Sequence, residues 1–202
     1  MDKTRLSSLS DAVFAVAITL LVLDVKIPDG SLSTPQLWHA LQGLLPNIGA
    51  YILSFCIIGI LWNGHHTIFN LVKLVDRTLI WLNLLYLMVV VFMPFPTAVL
   101  ASHHNQQPAI ILYSTLLILV GLLHRFFLYY IRHQPGIALY KLPTTFWRRS
   151  NGASLFGPAC GTMAIIVSFV SADMSLIFLF AIPIYYIFIN RTNDRLMKTI
   201  VR

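Results

Sequence analysis

Charged residues are scarce in this chain of 202 residues. Asp, Glu, Lys and Arg make up 10% of it and 57% is hydrophobic, whereas soluble domains carry about 25% charged residues. This composition excludes a soluble globular protein, and no hydrophilic stretch is long enough to form a separate domain. We therefore predict an all-α integral membrane protein in which residues 1–202 form a single domain.

Glutamate is absent, and all seven acidic residues are aspartate. The metal sites of membrane di-iron enzymes need several histidine clusters and further ligands. Paired histidines occur here only at His65–His66 and His103–His104, which the predicted topology places on opposite sides of the membrane. A metal-dependent membrane enzyme is therefore the less favoured alternative, and we expect no enzyme activity, no metal site and no cofactor.

Cysteine is almost as rare as glutamate. The two cysteines, Cys56 and Cys160, both lie in apolar segments. A disulfide framework is therefore not expected, and the thiols behave as small buried hydrophobic groups.

Proline, glycine and charged residues divide the apolar sequence into six candidate membrane-spanning helices. They cover roughly residues 11–28, 37–64, 79–101, 108–131, 152–171 and 174–190. The P-F-P sequence near the end of the third segment should kink or stop that helix. An even number of spans places both termini on the same side of the membrane.

The basic residues indicate which side that is. Every Lys and Arg except Lys26 lies in the N-terminus, between segments two and three, in the region around the link from segment four to five, or in the C-terminal tail. Because such residues are concentrated on the cytoplasmic side, we predict cytoplasmic termini in the cell inner (plasma) membrane. This bias accounts for the basic excess, so the expected partner is the lipid bilayer and not nucleic acid.

The first segment is short for a span that faces lipid. Asp11 and Asp24 enclose 12 uncharged residues, which cover about 18 Å as a helix, against a hydrocarbon core of about 30 Å. Such a helix is stable when protein encloses it or when it lines water. A tilted helix in a locally thinned bilayer is the alternative.

Helical spacing places four residues of this segment on one stripe, with Leu20 on its flank. The stripe consists of Ala12, Val16, Thr19 and Leu23. Phe14, Ile18 and Leu21 point elsewhere and should pack against other helices.

Polar residues cluster at the start of the first segment and at the end of the second. We predict that Ser7, Ser8 or Ser10 caps the first helix, with Asp11 in its first turn. The second segment ends in W-N-G-H-H-T, and we expect its imidazoles and indole N–H to bond Asp11, Arg5 or the serine hydroxyls. The residues concerned are Trp62, His65 and His66.

R-L-S-S-L-S-D-A followed by an apolar helix resembles the R-x-x-x-F-S-D-A signature of the transmembrane protein 175 family, and W-x-x-H-H resembles a second motif of that family. Leu9 stands where the signature has phenylalanine. The resemblance implies a six-helix chain that forms a homotetramer permeable to K⁺, with helix 1 of each copy lining a central pore.

The same resemblance implies roles for individual residues. It places the constriction at Val16, a pore hydroxyl at Thr19 and further apolar rings at Leu20 and Leu23. Val16 stands where the family commonly has Ile or Leu, which implies a wider constriction. An anchoring network that holds the start of helix 1 is implied for Arg5, Ser10, Asp11, Trp62, His65 and His66.

The mechanism expected for such a pore differs from that of a carbonyl-lined filter, because the chain contains no T-V-G-Y-G loop. A narrow apolar throat gates by dewetting, and partial dehydration favours K⁺ over Na⁺ modestly. Proton conduction through the histidine cluster is an alternative, since histidine titrates near neutral pH. A membrane carrier is a further alternative, although the prolines are not paired between two halves as in many carriers.

Overall fold

The computed structural model describes residues 2–27, 30–138 and 144–200, and all regular structure within these ranges is helical. The prediction of an all-α protein is thus confirmed. The helices are α1 (Lys3–Leu20, continued by a 3-10 turn over Leu21–Asp24), α2 (Thr34–Gly43), α3 (Leu45–Leu71), α4 (Arg77–Val91), α5 (Pro94–Ser102), α6 (Gln107–His133), α7 (Thr144–Ser168) and α8 (Ala172–Ile200). An isolated bridge between Val72 and Ala138 is the β-type pairing seen in the described ranges.

Four helical stretches in the described residues are long and apolar enough to cross a membrane. They are Lys3–Asp24, Leu45–Leu71, Arg77–Ser102 and Gln107–His133. Helix α8 contributes a shorter apolar run, Ala172–Phe188. These lengths and compositions identify a multi-pass membrane protein.

The predicted start of the first segment, in the range 11–28, is wrong. Helix α1 begins at Lys3 because the Asp2 side chain accepts a hydrogen bond from the Thr4 amide at 3.4 Å. Neither Ser8 nor Ser10 is a cap, since their hydroxyls donate to carbonyls one turn back in the same helix, at 3.0 and 2.9 Å. Serines bonded in this way are accommodated within a helix, so Asp11 lies well inside α1 rather than in its first turn.

The predicted second segment, 37–64, is also wrong, because it joins two helices and ends too early. Helix α2 stops at Gly43 and α3 begins at Leu45, with Pro46 in its first turn. Proline lacks the amide hydrogen that a helix interior uses but suits the first turn. Helix α3 then continues to Leu71, so the W-N-G-H-H sequence lies inside the helix instead of at its end.

The remaining predicted boundaries agree with the structure where the helix ends with its apolar sequence, and they differ where the helix continues into polar sequence. The fourth segment, 108–131, matches α6 to within two residues, and the expected break at P-F-P separates α4 from α5 before Pro94. Segments 152–171 and 174–190 underestimate α7 and α8, which extend into polar sequence at Thr144 and Ile200. Hydropathy marks the apolar part of a helix, and it does not mark where the backbone leaves the helix.

Hydrogen bonds from side chains show which parts of the helices are neighbours. They join Trp62 of α3 to Asp11 of α1, His65 of α3 to Asn83 of α4, and Tyr186 of α8 to Ala153 of α7. The middle of α1 therefore lies beside the later part of α3, which in turn lies beside the earlier part of α4.

Helices α6 and α7 pack closely through small residues. A Cβ atom added at Gly121 of α6 would lie 2.5 Å from the Pro158 ring of α7. A Cβ added at Gly161 of α7 would lie 3.2 Å from the Ser114 carbonyl oxygen. Small residues allow this approach where helices meet in a membrane, and the contact holds α7 and α8 to the rest of the bundle.

We predict that Gly121→Ala lowers the stability of the folded protein. The new methyl group overlaps the Pro158 ring, and overpacking of this kind costs about 1–3 kcal/mol. The measurement is the apparent unfolding temperature of the detergent-solubilised protein. Gly59→Ala is the matched control, because a Cβ there meets nothing within 4 Å. Equal unfolding temperatures for the two variants would contradict the close contact.

Candidate functional site

Helix α1 uses one face to pack against its own chain. The buried residues recur every three or four positions and are Leu6, Ser10, Phe14, Ala17 and, in the 3-10 turn, Leu21. The Phe14 ring lies 5.5 Å from the His65 ring and 6.3 Å from the Tyr86 ring, measured between centroids. Phe14 and Leu21 are thus packing residues, as the spacing predicts, and Ile18 is half-buried.

The opposite face of α1 is apolar and uncovered. Val16 is 53% exposed, Leu20 is 38% exposed and Leu23 is 57% exposed. Thr19 lies on the same face, and its hydroxyl donates to the Ala15 and Val16 carbonyl oxygens at 3.0 and 2.9 Å. Because these bonds consume the proton, the hydroxyl presents oxygen lone pairs outward. All the residues predicted to line a pore therefore share one exposed face.

This uncovered face continues towards the start of the helix. Arg5, Leu9 and Ala12 are exposed. Leu9 and Ala12 follow Arg5 by four and seven residues, which is the spacing of residues on one helical face. Leu9, which replaces the signature phenylalanine, is 42% exposed. A phenylalanine ring at this position, as in the family signature, would therefore make its contacts outside the core of the chain.

A hydrogen bond between α3 and α1 satisfies the carboxylate of Asp11. The Trp62 indole N–H donates to Asp11 Oδ1 at 2.9 Å. His66, one turn further along α3, is exposed and its ring centroid lies 5.9 Å from that of Trp62. In the described residues no hydrogen bond or ion pair joins Arg5 to Asp11, and the two side chains leave the helix in different directions.

A second, fully buried connection lies one residue away from Asp11. Ser10 Oγ accepts a hydrogen bond from Asn83 Nδ2 at 3.0 Å. The Asn83 carboxamide oxygen lies 2.7 Å from His65 Nε2. The side chain of Asn83 in α4 thus joins α1 to α3, and the exposed fractions of all three polar side chains are 2% or less.

Asn83 was not among the residues singled out from the sequence. The available signal is that it is the only side-chain amide in the charge-free run from Leu79 to Leu100. Polar side chains within a membrane segment are costly unless they are paired. That cost marks Asn83 as a residue with a partner, but the identity of the partner depends on how the helices pack.

A separate buried polar cluster connects three other helices. The Thr97 hydroxyl of α5 donates to Ser54 Oγ of α3 at 2.8 Å. Ser54 Oγ lies 2.9 Å from Tyr113 Oη of α6, and either can be the donor. The cluster contains no ionisable group that titrates near neutral pH, and it fixes the position of α5 after the proline break.

Among the residues described by the structure, no three His, Cys or Asp side chains lie close enough to hold a metal ion. His65 Nε2 is already engaged by Asn83.

Comparisons with known proteins identify the family of this chain. The family model described as the endosomal/lysosomal potassium channel TMEM175 matches residues 5–94. A potassium channel from Chamaesiphon minutus is 32% identical over 186 residues, with 90% of this chain and 92% of that protein aligned. The chain belongs to the TMEM175 family.

A solved structure agrees with this assignment to the TMEM175 family. The crystal structure of a lysosomal potassium-selective channel TMEM175 homologue from Chamaesiphon minutus superposes with a TM-score of 0.79 at 30% identity, covering 92% of this chain and 96% of that one. The fold is therefore that of TMEM175 proteins, and the family resemblance expected from the two motifs is confirmed. The family is described as an ion channel family and not as an enzyme family.

Other relatives share only part of their length with the chain. A potassium channel from Streptomyces collinus is 48% identical over 108 residues, which cover 54% of this chain and 52% of that protein. The endosomal/lysosomal proton channel TMEM175 of Gallus gallus is 29% identical over 184 residues, but these cover 36% of that protein.

We predict that Asn83→Leu destabilises the protein, because Ser10 and His65 lose their shared partner in the buried core. Each unsatisfied buried polar group costs about 1–3 kcal/mol. Thermal unfolding in detergent measures the effect. Asn70→Leu, at an exposed position near the end of α3, is the matched control. An Asn83→Leu protein as stable as the Asn70→Leu protein would contradict a stabilising role for the network.

Proposed function

We propose that this chain is one subunit of a K⁺-permeable channel and that the exposed face of α1 lines its pore. The observation that carries the proposal is the division of α1 into two apolar faces. One face packs in the core of the chain, while Val16, Leu20 and Leu23 remain uncovered around the Thr19 hydroxyl. The potassium channels among the relatives support the identity of the ion.

A pore of this kind requires several copies of the chain. One α1 helix per chain cannot enclose a conduit, and the face in question has no covering helix within the described part of its own chain. We propose a homotetramer in which four α1 helices surround a central axis. In that arrangement the uncovered face meets water and its symmetry mates instead of lipid.

The apolar residues of the face set the expected mode of conduction. Rings at Val16, Leu20 and Leu23 form a narrow throat that excludes water when closed. Thr19 offers hydroxyl oxygens to a partly dehydrated ion between these rings. K⁺ loses hydration water more readily than Na⁺, so the proposed selectivity for K⁺ is modest.

The proposed setting is the cell inner (plasma) membrane with six spans and cytoplasmic termini. The basic residues near α1, the α3–α4 link and the later part of α6 support this orientation. In it, Asp11 and the Trp62–His65 part of α3 lie towards the cytoplasmic side.

We propose that the polar contacts of α1 anchor the pore helix rather than conduct ions. The Trp62–Asp11 bond and the Ser10–Asn83–His65 connection reach the middle of α1 from two other helices. They fix both the rotation and the height of α1, which determines which residues face the axis. His66 and Arg5, both exposed, lie beside this anchor, where they can contact water or a neighbouring subunit.

Proton conduction is the second candidate function, and the names of the vertebrate relatives favour it. A proton path would use the histidine cluster of α3, whereas K⁺ conduction uses the exposed face of α1. The two functions therefore respond to different substitutions and different ion gradients.

We predict that Val16→Ala increases K⁺ flux into liposomes by several-fold and reduces the preference for K⁺ over Na⁺. The shorter side chain widens the proposed throat and makes it easier to hydrate. The measurement compares K⁺, Na⁺ and proton fluxes in proteoliposomes that contain equal amounts of protein.

Val91→Ala is the matched control. Val91 is exposed on α4, and its substitution removes the same two methyl groups at a position away from the proposed pore. Unchanged K⁺ flux and selectivity in Val16→Ala would contradict the pore assignment. A wild-type protein that carries protons but no K⁺ would favour the second function.

A further inference from the structure

A cavity of about 150 Å³ lies between α3, α6, α7 and α8. Its walls are mostly apolar, with residues such as Ile57, Leu117 and Ile182. Asn63, Thr67 and His124 add polar groups. No lining residue among those described is Asp, Lys or Arg, so the chemistry of the walls suits a neutral occupant.

The hydroxyl groups of Thr67 and Tyr186, which both line the cavity, already have partners. The Thr67 hydroxyl donates to the Asn63 carbonyl oxygen at 2.9 Å, and the Tyr186 hydroxyl donates to the Ala153 carbonyl oxygen at 2.6 Å. In the described residues no hydrogen bond joins the His124 ring or the Asn63 carboxamide to another side chain. These two groups can therefore orient a molecule that enters the cavity.

The size of the cavity limits what can bind. An apolar protein cavity of about 150 Å³ is known to hold benzene, and binding sites generally combine apolar walls with a few polar groups that fix orientation. A ligand of about six to eight non-hydrogen atoms with one hydroxyl or amide group matches both the volume and the polar groups.

The cavity and the anchor of α1 share one stretch of α3. Trp62 bonds Asp11, and His65 bonds Asn83. Between and after them, Asn63, Gly64 and Thr67 line the cavity. The Gly64 backbone also contacts the His124 ring, since a Cβ there would lie 2.8 Å from His124 Cε1. A molecule in the cavity would therefore contact the same helical turn of α3 that is bonded to α1 and α4.

We infer that this cavity is a regulatory binding site for a small neutral molecule with one hydrogen-bonding group. Occupancy shifts residues 62–67 of α3 and, through Trp62 and His65, the position of α1. The binding itself does not require that the chain conduct ions. Only the effect on flux rests on the proposed channel function.

The probe for the test is 4-fluorophenol, whose binding to the full chain in lipid nanodiscs is followed by fluorine NMR, with empty nanodiscs subtracted. We expect saturable binding to the wild-type protein. A Cβ at Gly157, which lines the cavity, meets nothing within 4 Å, so the Gly157→Leu side chain fills the cavity and weakens binding at least tenfold. Gly157→Ala, a smaller change, weakens it less.

Gly152→Leu is the matched control, because Gly152 lies on the same helix, is exposed and does not line the cavity. Its binding should stay within twofold of the wild type. 4-Fluorotoluene, which lacks the hydroxyl, should bind about fivefold more weakly than the phenol. Absence of saturable binding, or equal binding by the wild-type and both Gly157 variants, would overturn the site.

A separate measurement of K⁺ flux tests the regulatory role. At a saturating concentration, 4-fluorophenol should change the K⁺ flux into proteoliposomes that contain the wild-type or the Gly152→Leu protein. It should leave the K⁺ flux of the Gly157→Leu protein unchanged. Binding without any change in flux would overturn the connection to α1. Failure of the channel function itself would appear separately, as a lack of K⁺ flux before any phenol is added.

Discussion

A helix that is apolar on both faces and carries a carboxylate near its middle has few stable environments in a membrane. In α1 the carboxylate belongs to Asp11, and the indole of Trp62 provides its hydrogen bond at 2.9 Å. The buried face, centred on Phe14, then packs against α3 and α4. Once that face is fixed, the direction of the opposite face is fixed as well. The arrangement of Val16, Thr19 and Leu23 thus depends on contacts made in the middle of the helix.

The two contacts that position α1 differ in how deeply they are buried. Trp62 holds a charged group that remains partly accessible, whereas Asn83 connects two fully buried groups, Ser10 and His65. Buried polar networks are costly when they are incomplete and rigid when they are satisfied. This network therefore restricts α1 to one rotation, which a purely apolar packing of similar side chains would specify less sharply. A pore helix benefits from that restriction, because rotation by one residue exchanges the side chains that face the axis.

Helical spacing in the sequence was sufficient to predict which residues of α1 share a face, because the 3.6-residue period does not depend on the neighbours. Spacing also separated Phe14 and Leu21 from that face. The beginning of α1 at Lys3 could not be predicted in the same way. Serine before an apolar run is typical of a helix cap, but here the Ser8 and Ser10 hydroxyls donate to carbonyl oxygens of their own helix and do not act as caps. The break at Leu44 was missed because apolar residues continue through it, and Pro46 permits either the start of a helix or a kink. Asn83 required knowledge of packing between α1, α3 and α4, which lie far apart in the sequence.

In the proposed channel the uncovered face of α1 meets water, although the helix is surrounded by apolar sequence. Cysteine substitution tests this most directly, in a background where Cys56 and Cys160 are replaced by serine, with a membrane-impermeant cationic thiol reagent applied to proteoliposomes. We predict that Val16→Cys and Thr19→Cys react, and that Phe14→Cys in the core does not. Met88→Cys, which is exposed on α4 but away from the proposed pore, should also be protected. Reaction of Val16→Cys no faster than Met88→Cys would contradict a water-lined pore on this face.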